Sequence, residues 1–405
     1  MQLTRPFAAS FAAALVAALA VTASAAPAQA AGDIYTPPVT VTGDPGAILK
    51  QEPGVYALDT LGLTKADATV TKVQYVSTGA RGGKTPVVGT VIVPKAAWKK
   101  GGERPIVAVS PGTQGLHDSC APSKLIATAK LYDGNWIRKL YEAGYAVAVT
   151  DYEGLGTPGT HPYGNNVALG HNALDVVRAA QNLGYSRTAP VFLQGFSEGG
   201  GATAGALELA PTYAPELAIK GGHATAPTAD LAVIGKNIES SIYQTFLLFA
   251  VKMLDVTYPE LGIRDLTNEK GQALLDEADT AYGCLPESLP SGWLDTRTLT
   301  KEGTTISSYL SRPDIAAQLA QLKLGQKKIS VPFAVTSSWA DDVVPNASVK
   351  QAAKDWCAQG SSITYSTLWS PTHVASGYEG SGQAVGFFDD RVAGRPFASS
   401  CGWLF

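Results

Sequence analysis

One stretch of the sequence decides the fold: Val191-Phe192-Leu193-Gln194-Gly195-Phe196-Ser197-Glu198-Gly199-Gly200-Gly201. Its first residues, Val191–Gln194, are typical of a buried strand, and the small residues at its end are typical of the start of a helix. Between them, Gly195, Ser197 and Gly199 form Gly-x-Ser-x-Gly, which in a strand–turn–helix setting is a nucleophile elbow. The glycines leave room where side chains would collide with the neighbouring strand and helix. The pattern predicts a reactive serine at Ser197; the alternative is an idle serine in a glycine-rich turn.

Short β-branched segments alternate with helical segments along most of the chain. The predicted strands are Val73–Ser77, Val87–Val93, Ile106–Ser110, Tyr145–Thr150, Val191–Gln194, Ile219–Gly222, Ile329–Thr336 and Ile363–Leu368. The predicted helices between them are Leu125–Ala143, Val167–Leu183, Gly200–Leu209 and Ser348–Gln359. Several strands are apolar throughout, as expected for strands covered on both faces. With the Ser197 turn, this alternation predicts an α/β-hydrolase fold, in which helices flank a mainly parallel central sheet.

Residues 230–325 interrupt the alternation, because they carry helical patterns and almost no strand signal. Their predicted helices are Ile238–Leu254, Asn268–Ala281 and Ser311–Leu322. We therefore expect a helical cap at 230–325, inserted into a core made of residues 31–229 and 326–405. Within the cap, the apolar run Leu247–Phe249 favours a core position over a lipid-facing one.

The first thirty residues have the composition of a secretory signal peptide. Arg5 is their only charge, Phe7–Val21 is apolar and rich in alanine, and Ala28-Gln29-Ala30 is a small-x-small cleavage site. A membrane anchor is the alternative, and no other stretch reaches the roughly 18 to 20 apolar residues that a span requires. We expect residues 1–30 to be removed and the mature protein to be secreted, extracellular and without a transmembrane anchor.

Composition excludes several classes of protein. The chain has 405 residues, of which 45% are hydrophobic and 16% charged, with a formal net charge of −3. It is therefore not a disordered chain, and its charge gives no electrostatic reason to bind nucleic acid. The sequence has no P-loop, dinucleotide fingerprint or His-Glu-x-x-His motif, so we expect no cofactor and no metal.

Four cysteines agree with export: Cys120, Cys284, Cys357 and Cys401. Their wide spacing fits no zinc-ligand pattern. In an oxidising compartment two disulfides are expected, and the spacing leaves all three pairings open.

A reactive serine needs a base, and this fold places the base late in the chain. The order of elements puts the acid after the serine and the histidine last. Of the five histidines, only His223 and His373 follow Ser197. His223 ends the very next predicted strand, before an acid-bearing turn could intervene. His373, in a loop after the last predicted strand, is therefore the expected base.

The acid should follow the strand before that histidine. There the sequence reads Asp341-Asp342-Val343-Val344-Pro345. Many α/β-hydrolases carry Asp-x-x-Val-Pro at this place, and Asp341 fits that spacing whereas Asp342 does not. Asp341 is the expected acid, and the other interpretation of Asp342 is a helix-cap or surface carboxylate.

An oxyanion hole takes one N–H group from the residue after the serine and one from a loop after an earlier strand. The first is Glu198. The second belongs to the loop Ser110–Gly115, where Thr113 and Gln114 are the candidates. The His-Gly-Gly-Gly form of this loop is absent, so its role is inferred from position and the identity of the donor stays open.

Taken together, the motifs resemble the secretory lipase family that includes the yeast lipase A enzymes, over roughly residues 40–405. In chain order the motifs are Ser110-Pro111-Gly112-Thr113, Cys120-Ala121-Pro122-Ser123, Asp151-Tyr152-Glu153-Gly154, Gly195-Phe196-Ser197-Glu198-Gly199-Gly200, Asp341-Asp342-Val343-Val344-Pro345 and His373. The resemblance implies hydrolysis of acylglycerols and other carboxylic esters by the triad Ser197, Asp341 and His373. It also implies the disulfides Cys120–Cys284 and Cys357–Cys401. The yeast enzymes carry an aspartate in the oxyanion loop where this chain has Gln114.

These inferences predict a secreted serine ester hydrolase, a lipase or carboxylesterase, that forms an acyl-enzyme on Ser197. Its partner is an ester or lipid substrate, including one at a lipid–water interface. Two alternatives stay open. One is a serine exopeptidase on the same fold, which would need a charged subsite that the sequence does not locate. The other is a catalytically inactive binding module, against which the intact Ser, Asp and His argue.

Overall fold

The structure, a computed structural model, describes residues 32–280, 283–285 and 294–402. The expected signal peptide, residues 1–30, lies outside the described residues. The strands are β1 Ile48–Pro53, β2 Ala68–Thr78, β3 Lys84–Pro94, β4 Ile106–Ser110, β5 Ala146–Thr150, β6 Val191–Phe196, β7 Ile219–Thr225, β8 Phe333–Ser338 and β9 Ile363–Leu368. They form one nine-stranded sheet in the order β1-β2-β3-β5-β4-β6-β7-β8-β9.

Most of this sheet is parallel. Strands β1, β2, β3 and β5 pair antiparallel in that order, and every pair from β5 to β9 is parallel. The three central strands β4, β5 and β6 are buried along their whole length. Because both faces of these strands are buried, their sequences are continuous apolar runs. The predicted fold class is confirmed.

Helices cover both faces of the sheet. They are α1 Pro122–Ile126, α2 Gly134–Glu142, α3 Asn166–Asn182, α4 Glu198–Tyr213, α5 Leu231–Ile238, α6 Gln244–Thr257, α7 Ile263–Leu266, α8 Glu269–Glu277, α9 Pro313–Leu322, α10 Asn346–Ala358, α11 His373–Ser381 and α12 Ala384–Val392. Along β4, Ile106 and Ala108 pack into the core that holds α3 and α4, whereas Val107 and Val109 pack into the core that holds α1, α2 and α12. Side chains of a strand alternate between faces, so one strand supplies both cores.

Several element boundaries differ from the sequence prediction. The expected helix Leu125–Ala143 is two helices, because the chain turns between α1 and α2 through Ala129, which has a φ of 53°. The expected helix Ile238–Leu254 begins only at Gln244, as α6, because Ile238 ends α5 and the chain then turns through Ser240, which has a φ of 67°. Strand β8 begins at Phe333 and not at Ile329.

Among the elements that were not predicted are β1, α5, α7, α11 and α12. Strand β1 is a half-exposed edge strand with the sequence Ile-Leu-Lys-Gln-Glu-Pro, which has no alternating pattern. Helix α11 has the sequence HVASGYEGS, rich in glycine and serine, and gives a weak helical signal. His373 is therefore the first residue of a helix, and the expectation that it lies in a loop was wrong.

The described residues between 230 and 325 form helices α5 to α9 and add no strand to the sheet. Leu247 and Phe249 are 2% and 0% exposed, which gives this run the core position that the sequence favours. Residues 281–282 and 286–293 of the expected cap, including the end of the predicted helix Asn268–Ala281, lie outside the described residues.

Two disulfides fix segments that are far apart in sequence. Cys120 is bonded to Cys284, with a Cα–Cα distance of 5.3 Å, and Cys357 to Cys401, with a Cα–Cα distance of 5.4 Å. These are the pairings that the resemblance implies. The first bond joins the segment before α1 to the chain that follows α8. In the described ranges, none of the helices combines the length and the apolar character that a bilayer-spanning helix requires.

Candidate active site

Ser197 occupies a strained turn between β6 and α4. Its φ is 58° and its ψ −119°, a region that residues other than glycine rarely adopt. The turn is held by its own backbone: the Ser197 N–H donates to the Thr225 carbonyl at 2.9 Å, and the Ser197 carbonyl accepts from the Gly201 N–H at 2.9 Å. A strained conformation persists only where its surroundings hold it, and such positions cluster at active sites.

Two glycines make this turn possible. A Cβ atom on Gly195 would lie 2.0 Å from the Gly199 carbonyl oxygen, and one on Gly199 would lie 1.9 Å from the Ser110 carbonyl oxygen. Both contacts are with backbone, which cannot swing aside as a side chain can. The Gly-x-Ser-x-Gly pattern is therefore a steric requirement of the close approach of α4 to β4 and β6.

The structure brings together the three side chains of the expected triad. The His373 Nε2 lies 2.8 Å from the Ser197 Oγ, and the His373 Nδ1 lies 3.0 and 2.9 Å from the two carboxylate oxygens of Asp341. Because a carboxylate only accepts, the Nδ1 carries the proton and the Nε2 offers its lone pair to the serine hydroxyl. This is the geometry that a nucleophile, a base and an orienting acid require.

Asp341 is held in place by the turn that follows β8. Its side chain is 0% exposed, and its Oδ1 accepts the N–H groups of Val343 at 3.0 Å and Val344 at 2.7 Å. Asp342 differs from Asp341, because its Oδ1 accepts the backbone N–H of His373 at 2.8 Å, at the start of α11. The sequence analysis gave a helix cap as one interpretation of Asp342, and this contact at the start of α11 agrees with it.

The other histidine considered as a base lies elsewhere. His223 is inside β7, in register with Gln194, and its ring faces that of Phe387 at 6.4 Å. Burial lowers the pKa of His223 to about 4, so it stays neutral at neutral pH. The His373 ring packs against a different aromatic ring, that of Phe196, with the two ring centroids 4.7 Å apart.

The candidates for the oxyanion hole lie on two neighbouring segments, the start of α4 and the loop after β4, which approaches the Ser197 turn at Gly112 and Ser110. Glu198 is the first residue of α4, and Thr113 and Gln114 follow β4, the strand beside β6. Their side chains are engaged within the protein: the Thr113 hydroxyl lies 2.9 Å from the Tyr163 hydroxyl, and the Gln114 Nε2 donates to Asp133 at 2.8 Å. No hydrogen bond between described residues uses the backbone N–H of Glu198, Thr113 or Gln114. These N–H groups are the donors available to an oxyanion.

The Glu198 side chain forms a buried pair that the sequence did not reveal. Its Oε1 lies 2.9 Å from the His161 Nε2 and 3.2 Å from the Gly164 N–H, and Glu198 and His161 are 2% and 1% exposed. The His161 Nδ1 donates to the Glu153 carbonyl at 3.2 Å, so both ring nitrogens have partners. No motif links positions 161 and 198, and only the fold brings them together.

An apolar cavity opens beside Ser197. Ser197 is one of its lining residues, and the others are Tyr163, Gly164, Glu198, Thr228, Leu231, Ile234, Gly235, Ile238, Phe246, Leu247, Ala250, Val251, Met253, Leu254, Leu310, Leu319 and Val343. Among these described lining residues Glu198 is the only one with a carboxylate or a cationic group. The cavity suits an apolar chain that ends at the Ser197 hydroxyl.

A parallel sheet with a Ser–His–Asp group at the carboxyl ends of its strands defines the class: the protein is an α/β-hydrolase. In the described ranges, no three His, Cys, Asp or Glu side chains are grouped so as to hold a metal ion. The model of the secretory lipase family matches residues 120–400, and the chain belongs to that family. The resemblance found in the sequence is thereby confirmed.

Individual relatives agree with the family. Lipase 10 of Candida albicans is 28% identical over 91% of this chain and 82% of its own. A Mycobacterium tuberculosis protein named "Probable inactive lipase MT1628" is 26% identical over 87% of this chain and 79% of its own. The X-ray structure of Candida antarctica lipase A has a TM-score of 0.78 at 23% identity, covering 91% of this chain and 87% of that one. At that identity the likeness is one of fold. The chain is thus related to lipases.

Proposed function

We propose that this protein is an exported serine carboxylic-ester hydrolase that cleaves acylglycerols or other acyl esters through an acyl-enzyme on Ser197. The observation that carries the proposal is the 2.8 Å contact between the Ser197 Oγ and the His373 Nε2, with Asp341 on the far side of the same ring. A buried serine, imidazole and carboxylate in this order are the parts that acyl transfer requires.

In the proposed reaction His373 moves the proton. Its Nε2 takes the Ser197 proton as the Oγ attacks the ester carbonyl, and Asp341 stabilises the imidazolium. The oxyanion accepts N–H groups from Glu198 and from Thr113 or Gln114. His373 then protonates the departing alcohol, which leaves the acyl group on Ser197. Water activated by the same Nε2 attacks this ester, and the acid product leaves with Ser197 reprotonated.

The apolar cavity supports an acyl chain as the group that is transferred. Leu231, Ile234 and Ile238 of α5 and Phe246 and Leu247 of α6 line it. A peptide terminus would need a charged partner, and the carboxylate of Glu198, the one charged group among the described lining residues, is paired with His161. Helices α5, α6 and α9 supply most of this wall, which supports residues 230–325 as a cap over a core of 31–229 and 326–405. The substrate class is thus an ester with an apolar acyl group, in solution or at a lipid–water interface.

The leader and the disulfides support export. An apolar stretch with a cleavage site at Ala28-Gln29-Ala30 precedes a chain whose four cysteines form two disulfides. Disulfides persist in oxidising compartments. Expression of the full chain in a secreting host, followed by N-terminal sequencing of the protein in the medium, should give Ala31 as the first residue. Full-length protein retained in the membrane would contradict removal of the leader.

The test of the mechanism is removal of the Ser197 hydroxyl. Ser197→Ala should lower the kcat for p-nitrophenyl acyl esters about 10⁴-fold or more and leave the melting temperature nearly unchanged. Ser348→Ala, which removes a half-buried hydroxyl on α10, is the matched control and should keep wild-type activity. A fluorophosphonate probe should label Ser197 in the wild type, which an inactive module would not permit. Full activity of Ser197→Ala would refute the mechanism.

The test of the substrate class is the acyl chain length. Ala250→Phe fills the cavity from α6, so it should reduce kcat/KM for oleoyl esters about tenfold or more while acetyl esters are affected little. Val256→Phe, on the exposed side of the same helix, is the control. Equal loss for short and long chains in Ala250→Phe would contradict an acyl-binding cavity. The same series on emulsified substrate separates a lipase from an esterase for soluble esters.

A further inference from the structure

A buried carboxylate lies beneath the loop that follows β4. Asp133 is 0% exposed, and it meets the loop through two donors. The Gly112 N–H lies 3.4 and 3.3 Å from its two oxygens, and the Gln114 Nε2 donates to its Oδ2 at 2.8 Å. The same Gln114 amide donates to the Gly112 carbonyl at 2.9 Å. Asp133 therefore contacts both residues that flank Thr113.

Asp133 stands at the N-cap of α2 but does not cap it. An aspartate at this position commonly accepts the N–H groups of the first helical turn. Here the carboxylate makes no capping hydrogen bond. The carboxylate is directed toward the loop, and the Trp136 side chain of α2, which lies beside it, also lowers its pKa.

The placement of Asp133 is unfavourable for a charge. Burial raises the pKa of Asp133 to about 7, against the opposing effect of its hydrogen bonds. Among the described residues no ion pair includes it, so hydrogen-bond donors alone stabilise the anion. Burying a carboxylate without a cation costs free energy. Such residues are found disproportionately at functional sites.

The rest of the loop is anchored through different atoms. The Tyr152 hydroxyl donates to the Pro111 carbonyl at 2.8 Å, and the Leu285 N–H donates to the Gln114 carbonyl at 2.9 Å. These contacts hold carbonyl oxygens. Asp133 holds the Gly112 N–H, and the Gln114 amide that it binds also donates to the Gly112 carbonyl, which shares a peptide plane with the Thr113 N–H.

We infer that Asp133 is a positioning residue of the oxyanion hole: through Gly112 and Gln114 it orients the loop so that a backbone N–H of Thr113 or Gln114 faces the oxyanion on Ser197. The inference rests on the proposed function. Gln114 acts in it as the link between the carboxylate and the loop. Neither side chain touches the substrate.

Asp133→Asn tests this role with little change of shape. The amide replaces one carboxylate oxygen by an NH2 group, which then lies donor against donor beside the Gly112 N–H, because that N–H is about equally far from both oxygens. Complete loss of an oxyanion donor lowers kcat by about 10²- to 10³-fold, so misorientation should lower kcat about 10- to 50-fold. KM should change less than about threefold, because the oxyanion forms only in the transition state. The rate of fluorophosphonate labelling of Ser197 should fall in parallel with kcat.

Asp151→Asn is the matched control. Asp151 is also 0% exposed, burial also raises its pKa to about 7, and it also accepts one backbone N–H and one side chain, both from Ser123. Its contacts lie away from the oxyanion loop. Asp151→Asn should therefore shift the melting temperature as Asp133→Asn does and keep kcat within about twofold. A kcat loss of the same size in both variants would mean that Asp133 is merely structural.

A double-mutant cycle with Gln114→Met separates positioning from general damage. If both side chains act through one contact, the double variant should be no slower than the slower single variant. Multiplied losses would overturn the inference, as would wild-type kcat and labelling rate in Asp133→Asn. A wild type that neither hydrolyses esters nor is labelled at Ser197 would refute the proposed function and this inference with it. Normal wild-type activity together with an unaffected Asp133→Asn would refute the inference alone.

Discussion

Two turns at the carboxyl ends of neighbouring strands form the candidate site, and they are held in opposite ways. The nucleophile turn, residues 195–199 after β6, is fixed by backbone packed on backbone, with no space for a Cβ on Gly195 or Gly199. The oxyanion loop, residues 110–115 after β4, is fixed by side chains from other elements, among them Asp133 and Tyr163. The first turn is specified by local sequence, and the second by residues that only the fold brings near.

The comparison predicts that the nucleophile turn tolerates almost no added atom. Gly199→Ala puts a Cβ 1.9 Å from the Ser110 carbonyl oxygen, so the two turns must move apart. We expect kcat to fall about a thousandfold or more, since displacement of reacting groups by about 1 Å costs 10²-fold and here two parts of the site move. Soluble expression, melting temperature and kcat measure the effect. Gly386→Ala, in α12 with open space around it, is the control and should be neutral or stabilising. A Gly199→Ala variant within tenfold of wild type would contradict the steric argument.

The nucleophile turn has one side-chain anchor, the His161–Glu198 pair. His161→Ala leaves the Glu198 carboxylate buried with the Gly164 N–H as its remaining partner. We expect a loss of about 3–5 kcal/mol in the free energy of unfolding, as for other buried pairs that lose one member. Because Glu198 also supplies a candidate oxyanion N–H, kcat should fall about tenfold. Denaturant unfolding and steady-state kinetics measure the two effects.

His171→Ala is the control for that variant. His171 stacks on Tyr213 at 4.2 Å and burial lowers its pKa to about 4, but its ring faces no carboxylate in an ion pair of the described chain. It should lose stability through packing and retain kcat. Equal kcat values for His161→Ala and wild type would show that Glu198 keeps its place without His161.

The pH dependence of the free energy of unfolding measures the contribution of two buried carboxyl groups, Asp133 and Asp151. Burial raises the pKa of Asp133 and of Asp151 from 3.8 to about 7 in the folded protein. The folded state therefore holds these protons more tightly, so the contribution of each group is fully present below about pH 4 and is lost as the pH rises through 7. Relative to Asp133→Asn or Asp151→Asn, the wild type should lose stability between pH 4 and 7, by at most about 4 kcal/mol per group. Denaturant unfolding of the three proteins across this range measures it. A difference that does not change with pH would mean that the carboxyls titrate normally.

The contrast between the two turns also explains what the sequence could predict. The alternation of strands and helices predicts the sheet, and the order serine, acid, histidine selects Ser197, Asp341 and His373, which the structure brings within 3.0 Å contacts. These inferences work because the pattern is local or follows chain order. The sequence could not predict the roles of Asp133 and His161, because their partners are far away in sequence and a lone buried acid or histidine forms no motif. The break between α1 and α2 could not be predicted either, because nothing in the sequence indicates that Ala129 adopts a positive φ.

The smallest effect concerns a neutral anchor of the oxyanion loop. Thr113→Val keeps the shape of the side chain but removes the hydroxyl, which leaves the Tyr163 hydroxyl without its 2.9 Å partner. We expect kcat to fall about 3- to 10-fold, which corresponds to the roughly 1 kcal/mol net value of a neutral hydrogen bond. Thr78→Val removes the same kind of bond, 2.8 Å to the Tyr213 hydroxyl, on a strand distant from the site, and should lower stability alone. If kcat falls in Thr113→Val and not in Thr78→Val, the oxyanion loop depends on its side-chain anchors one by one. If neither variant changes kcat, the Asp133 contacts and the hydrogen bonds accepted by the Pro111 and Gln114 carbonyl oxygens are sufficient to hold the loop. The difference between the two turns would then rest on one buried side chain, Asp133.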